Sequence, residues 1–300
     1  MRIYTNSNIK LKEIEEKPFK LEQDIKRIFE ENLETLMHLK FVKSEFTIKN
    51  KRIDTLAYDP ESKAFIIIEY KRDRNASVVD QGFTYLSLMF ENKADFIIEY
   101  NESHKQNLKR DDVEWSQSRV VFVSTSFTDN QIQATNFKDL AIELWEAKQY
   151  ENNLLSVTPI KKSKSAASIK PLAKLNESLS SVLNEIKIYT EDDHLKLATE
   201  EVVELYDKFR AAIINLSDGI EVIPKKFYIA FKKDTNIADI ELQKKGLKLF
   251  INAKLGSLDD ARKLTRDVSQ IGHRGNGDYQ IQVDNDQNLE YIMSLIKQVI

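Results

Sequence analysis

Between Phe19 and Met37 the apolar residues Leu21, Ile25, Ile28, Phe29, Leu33 and Leu36 recur at spacings of three and four. That is the stripe of a core-facing helix, here following Pro18. The polar residues 1–17 before it predict a ragged strand or an extended arm. Loose alternation from Leu39 to Ile48 predicts a first strand, and Asn50 a turn into a second at Arg52–Ala57. Ala64–Ile68 is a continuous apolar run, the mark of a central strand covered on both faces. A helix follows over Ser77–Phe90, then two buried strands at Ala94–Tyr100 and Arg119–Ser124, a helix at Asn130–Phe137 and a last, edge strand at Ile142–Trp145. This order predicts an α/β fold, a mixed sheet flanked by helices.

The pattern breaks after about residue 150. Glu151–Ser181 has no aromatic residue and includes PIKKSKSAASIKP, with four lysines and no acid. It reads as a linker, so the expected organisation is a first domain over 1–150, a linker over 151–190 and a small α+β domain over 191–300. In that last part, apolar positions from Leu195 to Ile214 predict one long helix ending near Gly219. Strands are expected at Lys226–Lys232, Ile237–Leu242, Gly246–Ile251 and Tyr279–Val283. Ser257 is placed to cap a short helix, SLDDARK, and Leu289–Ile300 reads as a closing helix. The glycine-rich IGHRGNGD, Gly272–Gly277 with His273 and Arg274, suits either a tight loop before a strand or a backbone cradle for an anion. It leads into a strand, which separates it from phosphate-binding loops that open a helix.

Composition narrows the function classes. The 300-residue chain has no cysteine, which removes disulfides, thiolate catalysis and cysteine-ligated zinc. No apolar run reaches the ~18–20 residues of a membrane span, and the first residues lack a signal-peptide core, so a cytoplasmic protein is expected. The net charge is −3, and the halves carry 23 Lys+Arg against 26 Asp+Glu and 22 against 22. Neither half is a basic domain, so any contact with nucleic acid must come from local patches.

The candidate chemistry lies in Arg52–Tyr85. If the two strands there pair across Asp59-Pro60, Asp54 comes beside Glu69 and Lys71, which share a face because strand side chains alternate. A carboxylate after four apolar residues of a central strand is costly unless it is paired or bound to a cation. Mg²⁺ and Mn²⁺ take oxygen ligands, commonly one or two carboxylates with water and substrate. Asp54 and Glu69 are the expected metal ligands, the Tyr70 main-chain carbonyl a further one, and Lys71 the group that assists water or offsets transition-state charge. Arg72 and Arg74 are candidates for steering phosphate. His38, His104, Ser124 and Ser126 have no partners that suggest catalysis.

Ile53-Asp54 with Glu69-Tyr70-Lys71 resembles the core motif of the PD-(D/E)xK nuclease superfamily, with Ile53 in the nominal proline position. Gln81-Gly82-Phe83-Thr84-Tyr85 resembles the Q-x-x-x-Y pattern of its RecB-like and NucS-like branches. The likeness covers about Phe19–Ser124. It implies a restriction-endonuclease-like fold and a Mg²⁺- or Mn²⁺-dependent deoxyribonuclease, in repair, restriction or defence. DNA is the expected partner ahead of RNA. The same branches carry a glutamate on the helix before the first strand; Glu22 is the counterpart chosen, with Glu31 the runner-up. The resemblance also gives Gln81 and Tyr85 the task of binding phosphate or orienting the lysine. The C-terminal block, through RDVSQIGHRGNGDYQI, resembles a small domain sometimes labelled "predicted transport protein", which implies a recognition or oligomerisation module and leaves a homodimer open. The alternative function is a catalytically inactive adaptor of the same fold.

Overall fold

The computed structural model describes residues 2–71, 77–163, 165–173, 177–196, 198–272 and 274–300. Two units separate, 1–187 and 188–300. Arg72, Arg74 and His273 lie outside the described residues.

In the first unit, a hairpin of β1 (Ile3–Ser7) and β2 (Lys10–Ile14) precedes α1 (Glu22–Met37). The body is a six-stranded sheet in the order β3-β4-β5-β6-β7-β8. Its strands are β3 (Lys40–Ile48), β4 (Lys51–Asp59), β5 (Ala64–Lys71), β6 (Arg119–Ser124), β7 (Ile142–Tyr150) and β8 (Leu154–Ile160). β3, β4 and β5 are antiparallel; β5, β6 and β7 run parallel; β8 returns antiparallel on β7. The parallel steps need crossovers, supplied by α2 (Val78–Glu91) with α3 (Lys93–His104), and by α4 (Asp129–Thr135). β5 is buried from Ala64 to Tyr70, as its unbroken apolar run requires.

The sheet divides two cores. On one face Ile25, Phe29, Leu33 and Met37 of α1 pack on Ile66, Ile68, Tyr70, Val121 and Val123. On the other, Leu86, Met89, Phe96 and Tyr100 of α2 and α3 pack on Leu56, Phe65, Ile67, Val120 and Phe122.

Three expectations for this unit are corrected. ADFIIEY is part of α3, because Phe96 and Tyr100 stack one turn apart into the core while Ile98 is exposed. The segment 151–190 is not a linker. Its first part is β8, which pairs with β7 over seven residues, and Ile169, Val182, Leu183 and Ile186 are buried in the α2 core. Two short helices, α5 (Lys170–Ala173) and α6 (Glu177–Glu185), lie within it. It follows that β7 is internal and β8 is the edge strand.

The second unit begins with α7 (Glu191–Leu195) and α8 (Glu200–Ile214), two helices where one was expected. Thr190 caps α7, its hydroxyl accepting the Asp193 N–H. An antiparallel sheet follows in the order β13-β14-β12-β11-β10-β9. The strands are β9 (Glu221–Pro224), β10 (Ile229–Lys232), β11 (Asn236–Gln243), β12 (Gly246–Ile251), β13 (Arg266–Asp267) and β14 (Tyr279–Val283). α8 and the closing α9 (Leu289–Ile296) cover one face through Tyr206, Phe209, Leu247, Leu249, Ile281 and Leu295. SLDDARK is a turn, not a helix. The Ser257 hydroxyl donates back to the Lys254 carbonyl, and Asp260 accepts from the Thr265 N–H and hydroxyl and from the Tyr291 hydroxyl. Among the described residues of both units, no helix is long and apolar enough to cross a membrane.

Candidate active site

The site forms where β4 stops pairing with β5. The last pair of that ladder is Thr55 with Ile68, yet β4 stays paired with β3 through Ile53, Arg52 and Lys51. One step beyond the last pair, the Asp54 carboxylate accepts the Tyr70 N–H at 3.1 Å. A side chain thus takes over a donor that the strand ladder would otherwise satisfy, and this fixes Asp54 beside β5.

Glu69 projects to the α2 side of the sheet, with Phe65 and Ile67, and is 5% exposed. Its Oε1 accepts the Lys71 ammonium at 2.7 Å and the Gln81 side-chain amide at 2.8 Å. Its Oε2 is buried with no hydrogen-bond partner among the described residues. Burial, and after it the charge of Asp54, pushes the Glu69 carboxyl above the usual carboxylate range; Lys71 opposes the shift without cancelling it. The Gln81 amide also donates to the Tyr85 hydroxyl at 3.0 Å, and that hydroxyl donates to the Arg52 carbonyl at 3.4 Å. Burial, with the charge of Glu69 next, raises the Tyr85 phenol. Gln81 and Tyr85 stand one helical turn apart on α2, which starts at Ser77, whose hydroxyl accepts the Asp80 N–H. Gly82 lets that helix come close. A Cβ there would lie 2.4 Å from Ile142 Cδ1 and 2.9 Å from its Cγ1, so either the Ile142 side chain or the helix that carries Gln81 would have to give.

Asp54, Glu69, Lys71, Gln81 and Tyr85 are therefore one connected group. Gln81 holds the carboxylate of Glu69, sharing its Oε1 with the lysine, and Tyr85 braces Gln81. Glu22 is corrected. It sits in the exposed first turn of α1, the helix that packs on the opposite face. Among the described residues no three Asp, Glu or His side chains gather as metal ligands, so Glu22 does not complete an acidic cluster with the other two. The expected roles of Arg72 and Arg74 fall outside the described residues. The acid on α1 that reaches the strand is Glu30, which accepts the Thr55 hydroxyl at 2.5 Å. Its signal in the sequence was slight: a carboxylate bordering the apolar stripe, one residue past Phe29. Thr55 is fully buried beside Asp54, so this bond pins β4 from the α1 side.

A cation of the Mg²⁺ class fits the donors present. It takes hard oxygen ligands, and the structure offers two carboxylates close enough for Asp54 to raise the Glu69 carboxyl, one with an oxygen that no donor reaches among the described residues.

A Haemophilus influenzae protein described only as uncharacterized is 56% identical over 300 residues, covering 100% of this chain and 99% of that one. The chain belongs to the family of that protein. The family described as Domain of unknown function (DUF5655) matches residues 191–298. Among solved structures, an EndoMS–double-stranded DNA complex aligns at TM-score 0.30 and 19% identity, over 43% of this chain and 47% of that one. A repair endonuclease from Pyrococcus abyssi aligns at 0.26 and 16%, over 44% and 50%. SfsA from Pyrococcus furiosus, in complex with Ca²⁺, aligns at 0.26 and 14%, over 47% and 63%. The aligned part thus spans about half the length of the first two.

Proposed function

We propose that the first unit is a Mg²⁺- or Mn²⁺-dependent phosphodiesterase that hydrolyses DNA. The observation that carries this reading is Glu69: a buried carboxylate with raised pKa, one oxygen unpartnered, next to a second carboxylate and a lysine. Most buried polar side-chain atoms are hydrogen-bonded, and an open carboxylate oxygen beside a second carboxylate is a position that a cation can fill. Asp54 and Glu69 would hold the cation, with the Tyr70 carbonyl a further ligand. When bound, the cation would lower the pKa of water and stabilise charge on the phosphoryl oxygens.

The chain's own groups divide the remaining work. Gln81, braced by Tyr85, holds Glu69 in one orientation. The Asp54 bond to the Tyr70 N–H fixes the second carboxylate relative to β5. Lys71 carries its positive charge beside the carboxylates, where it can offset the negative charge that builds on phosphorus oxygens as water adds and the ester P–O bond breaks. Its side chain is one-fifth exposed, so the ammonium can turn from Glu69 toward substrate.

The test is cleavage of plasmid and branched DNA with Mg²⁺, Mn²⁺ or EDTA, by the native chain and by Lys71→Ala. Cutting that needs the metal and disappears in the variant is the expected result. Equal cutting by Lys71→Ala would overturn the assignment. Calorimetric titration with Mn²⁺ is the companion measurement, with binding lost in Asp54→Ala. Absence of Mn²⁺ binding by the native chain would leave an adaptor of the same fold as the better reading.

A further inference from the structure

We infer that the second unit carries a site for single-stranded DNA, on the sheet face that α8 and α9 leave open. This rests on the reading of the chain as an enzyme of nucleic acid, and it concerns residues that take no part in the candidate active site. Strand alternation sets the face: Leu247, Leu249 and Ile251 of β12 point to the helices, so Lys248 and Phe250 point away. The pairings Glu241–Lys248, Phe250–Gln280 and Gln280–Arg266 place Glu241, Gln280 and Arg266 on that same open face. Together with the loop before β14 they line an open depression of 390 Å³, within the ~300–1,000 Å³ range of small-ligand sites.

The walls are cationic. Lys248, Arg266 and Arg274 line the cavity, with Glu241 the one acid on its wall among the described residues. Glu241 is matched by Arg274, at 3.7 Å. The Arg274 guanidinium also lies 4.5 Å from the centroid of the Phe227 ring, so carboxylate and ring hold it in place. Lys248 and Arg266 have no acid within ion-pair distance among the described residues, so a bound anion would meet two uncommitted charges.

The loop that presents Arg274 is tied down hard. Asp239 is fully buried, and it accepts the Asn276 N–H at 2.5 Å and the Asn276 side-chain amide at 2.9 Å. Gly277 has φ +83°, and a Cβ there would stand 2.0 Å from the Ile251 carbonyl oxygen. The glycine run noted in the sequence is thus what lets the loop lie on the sheet and carry Arg274 to the cavity rim.

Three cations around one small cavity suit consecutive backbone phosphates. Ile271, large and about half exposed on the cavity wall, suits the face of an unpaired base, with the Phe227 ring behind Arg274. A positive groove edged by apolar or aromatic surface is the general form of single-strand binding; paired bases would offer no such face.

The test is fluorescence anisotropy of the full chain with a fluorescein-labelled oligothymidylate of about 20 nucleotides, in EDTA so that no cutting occurs. Two uncommitted cations predict a slope of log K against log salt of about −1.4, and Lys248→Gln with Arg266→Gln should remove most of it and weaken binding about tenfold at 0.15 M salt. Both side chains are at least partly exposed, and an unchanged melting temperature confirms that the variant is folded. Lys248→Arg should keep native affinity, which a general loss of structure would not.

An unaltered slope in the double variant would overturn the inference. So would duplex of the same length binding as tightly, or displacement of the strand by about millimolar AMP or inorganic phosphate, which would make the cavity a small-molecule site. Strand binding that depends on Lys248 and Arg266, in a chain that cuts nothing with metal, would leave this site standing and remove the nuclease reading. Metal-dependent cutting with an unaltered slope would do the reverse.

Discussion

Glu69→Gln should stabilise the first unit in EDTA and destabilise it, relative to the native chain, in metal. The native carboxylate gains from the Lys71 ammonium at 2.7 Å, and hydrogen bonds to charged groups contribute about 1.5–3 kcal/mol. Against that stand the loss of hydration, several kcal/mol for a buried ion, the unpaired Oε2 at about 1–3 kcal/mol, and Asp54. The direction of the Glu69 shift gives the sign of the sum: its pKa is raised, so the charged form is disfavoured on folding. Glutamine keeps an acceptor for Gln81, removes the charge that Asp54 opposes, and releases Lys71 to water. A net gain on the order of 1 kcal/mol follows, which for a unit of this size raises Tm by about 2–4 °C.

The sign with pH is fixed by the same shift. A carboxyl raised on folding costs nothing below its unfolded pKa of ~4.3 and its full amount above the folded value. The advantage of Glu69→Gln should therefore be absent near pH 4, grow as pH rises through the folded pKa, and then level off. Mn²⁺ at ten times its Kd adds about 1.4 kcal/mol to the native chain and little to a variant short of one ligand, so the order reverses. The assay is thermal unfolding from pH 4 to 8 with EDTA and with Mn²⁺. A variant less stable than native in EDTA at pH 8 would refute the reasoning, since Glu69 would then be a structural partner of Lys71.

Gln81→Ala should lower metal affinity by about 10- to 100-fold, as loss of a group that orients a ligand does, while leaving the fold intact by circular dichroism; calorimetry with Mn²⁺ checks it. Arg210→Met should cost the second unit about 0.5–1 kcal/mol by urea unfolding at pH 7, allowing for its partial exposure, because the Arg210 guanidinium meets Glu191 at 2.6 and 3.1 Å. Burial works against the charged Glu191, but the Arg210 and Tyr206 bonds outweigh it and lower its pKa. That contribution is complete above the unfolded value and lost as pH falls through the folded one, so native and variant should converge in acid. Gly277→Ala should destabilise the second unit by more than about 1 kcal/mol, through positive φ and a backbone clash.

What the sequence showed of the site was what a strand pattern can carry. The run Ala64–Ile68 fixes β5 as central, alternation then puts Glu69 and Lys71 on one face, and four-residue spacing puts Gln81 and Tyr85 on one face of α2. Which atoms meet is a matter of packing angle, so the bond from Gln81 to Glu69 was not readable. Glu30 was hidden for the same reason: α1 has adjacent glutamates, and only its rotation on the sheet selects the one that meets Thr55. ADFIIEY misled because its aromatic and β-branched residues favour strands, whereas burial follows a helical turn from Phe96 to Tyr100. β8 was missed because an edge strand needs one partner and little burial, and LLSVTPI leaves Leu154 and Leu155 exposed. SLDDARK carries helix-start residues, but the side chain of Asp260 closes a competing turn.

The early end of the β4–β5 ladder makes the site a two-armed gauge. Asp54 travels with the β3–β4 hairpin, and Glu69 with β5 and the parallel strands. The bond from the Tyr70 N–H to Asp54 is the clasp that joins the two arms beyond Thr55 and Ile68, so the position of Asp54 depends on the hairpin as well as on its own rotamer. If the proposed cation binds there, the span between its two carboxylates is under the control of residues that would never touch it. Changes at the tip of the hairpin, Lys49 and Asn50, should retune metal preference from a distance, as a longer or stiffer lever would.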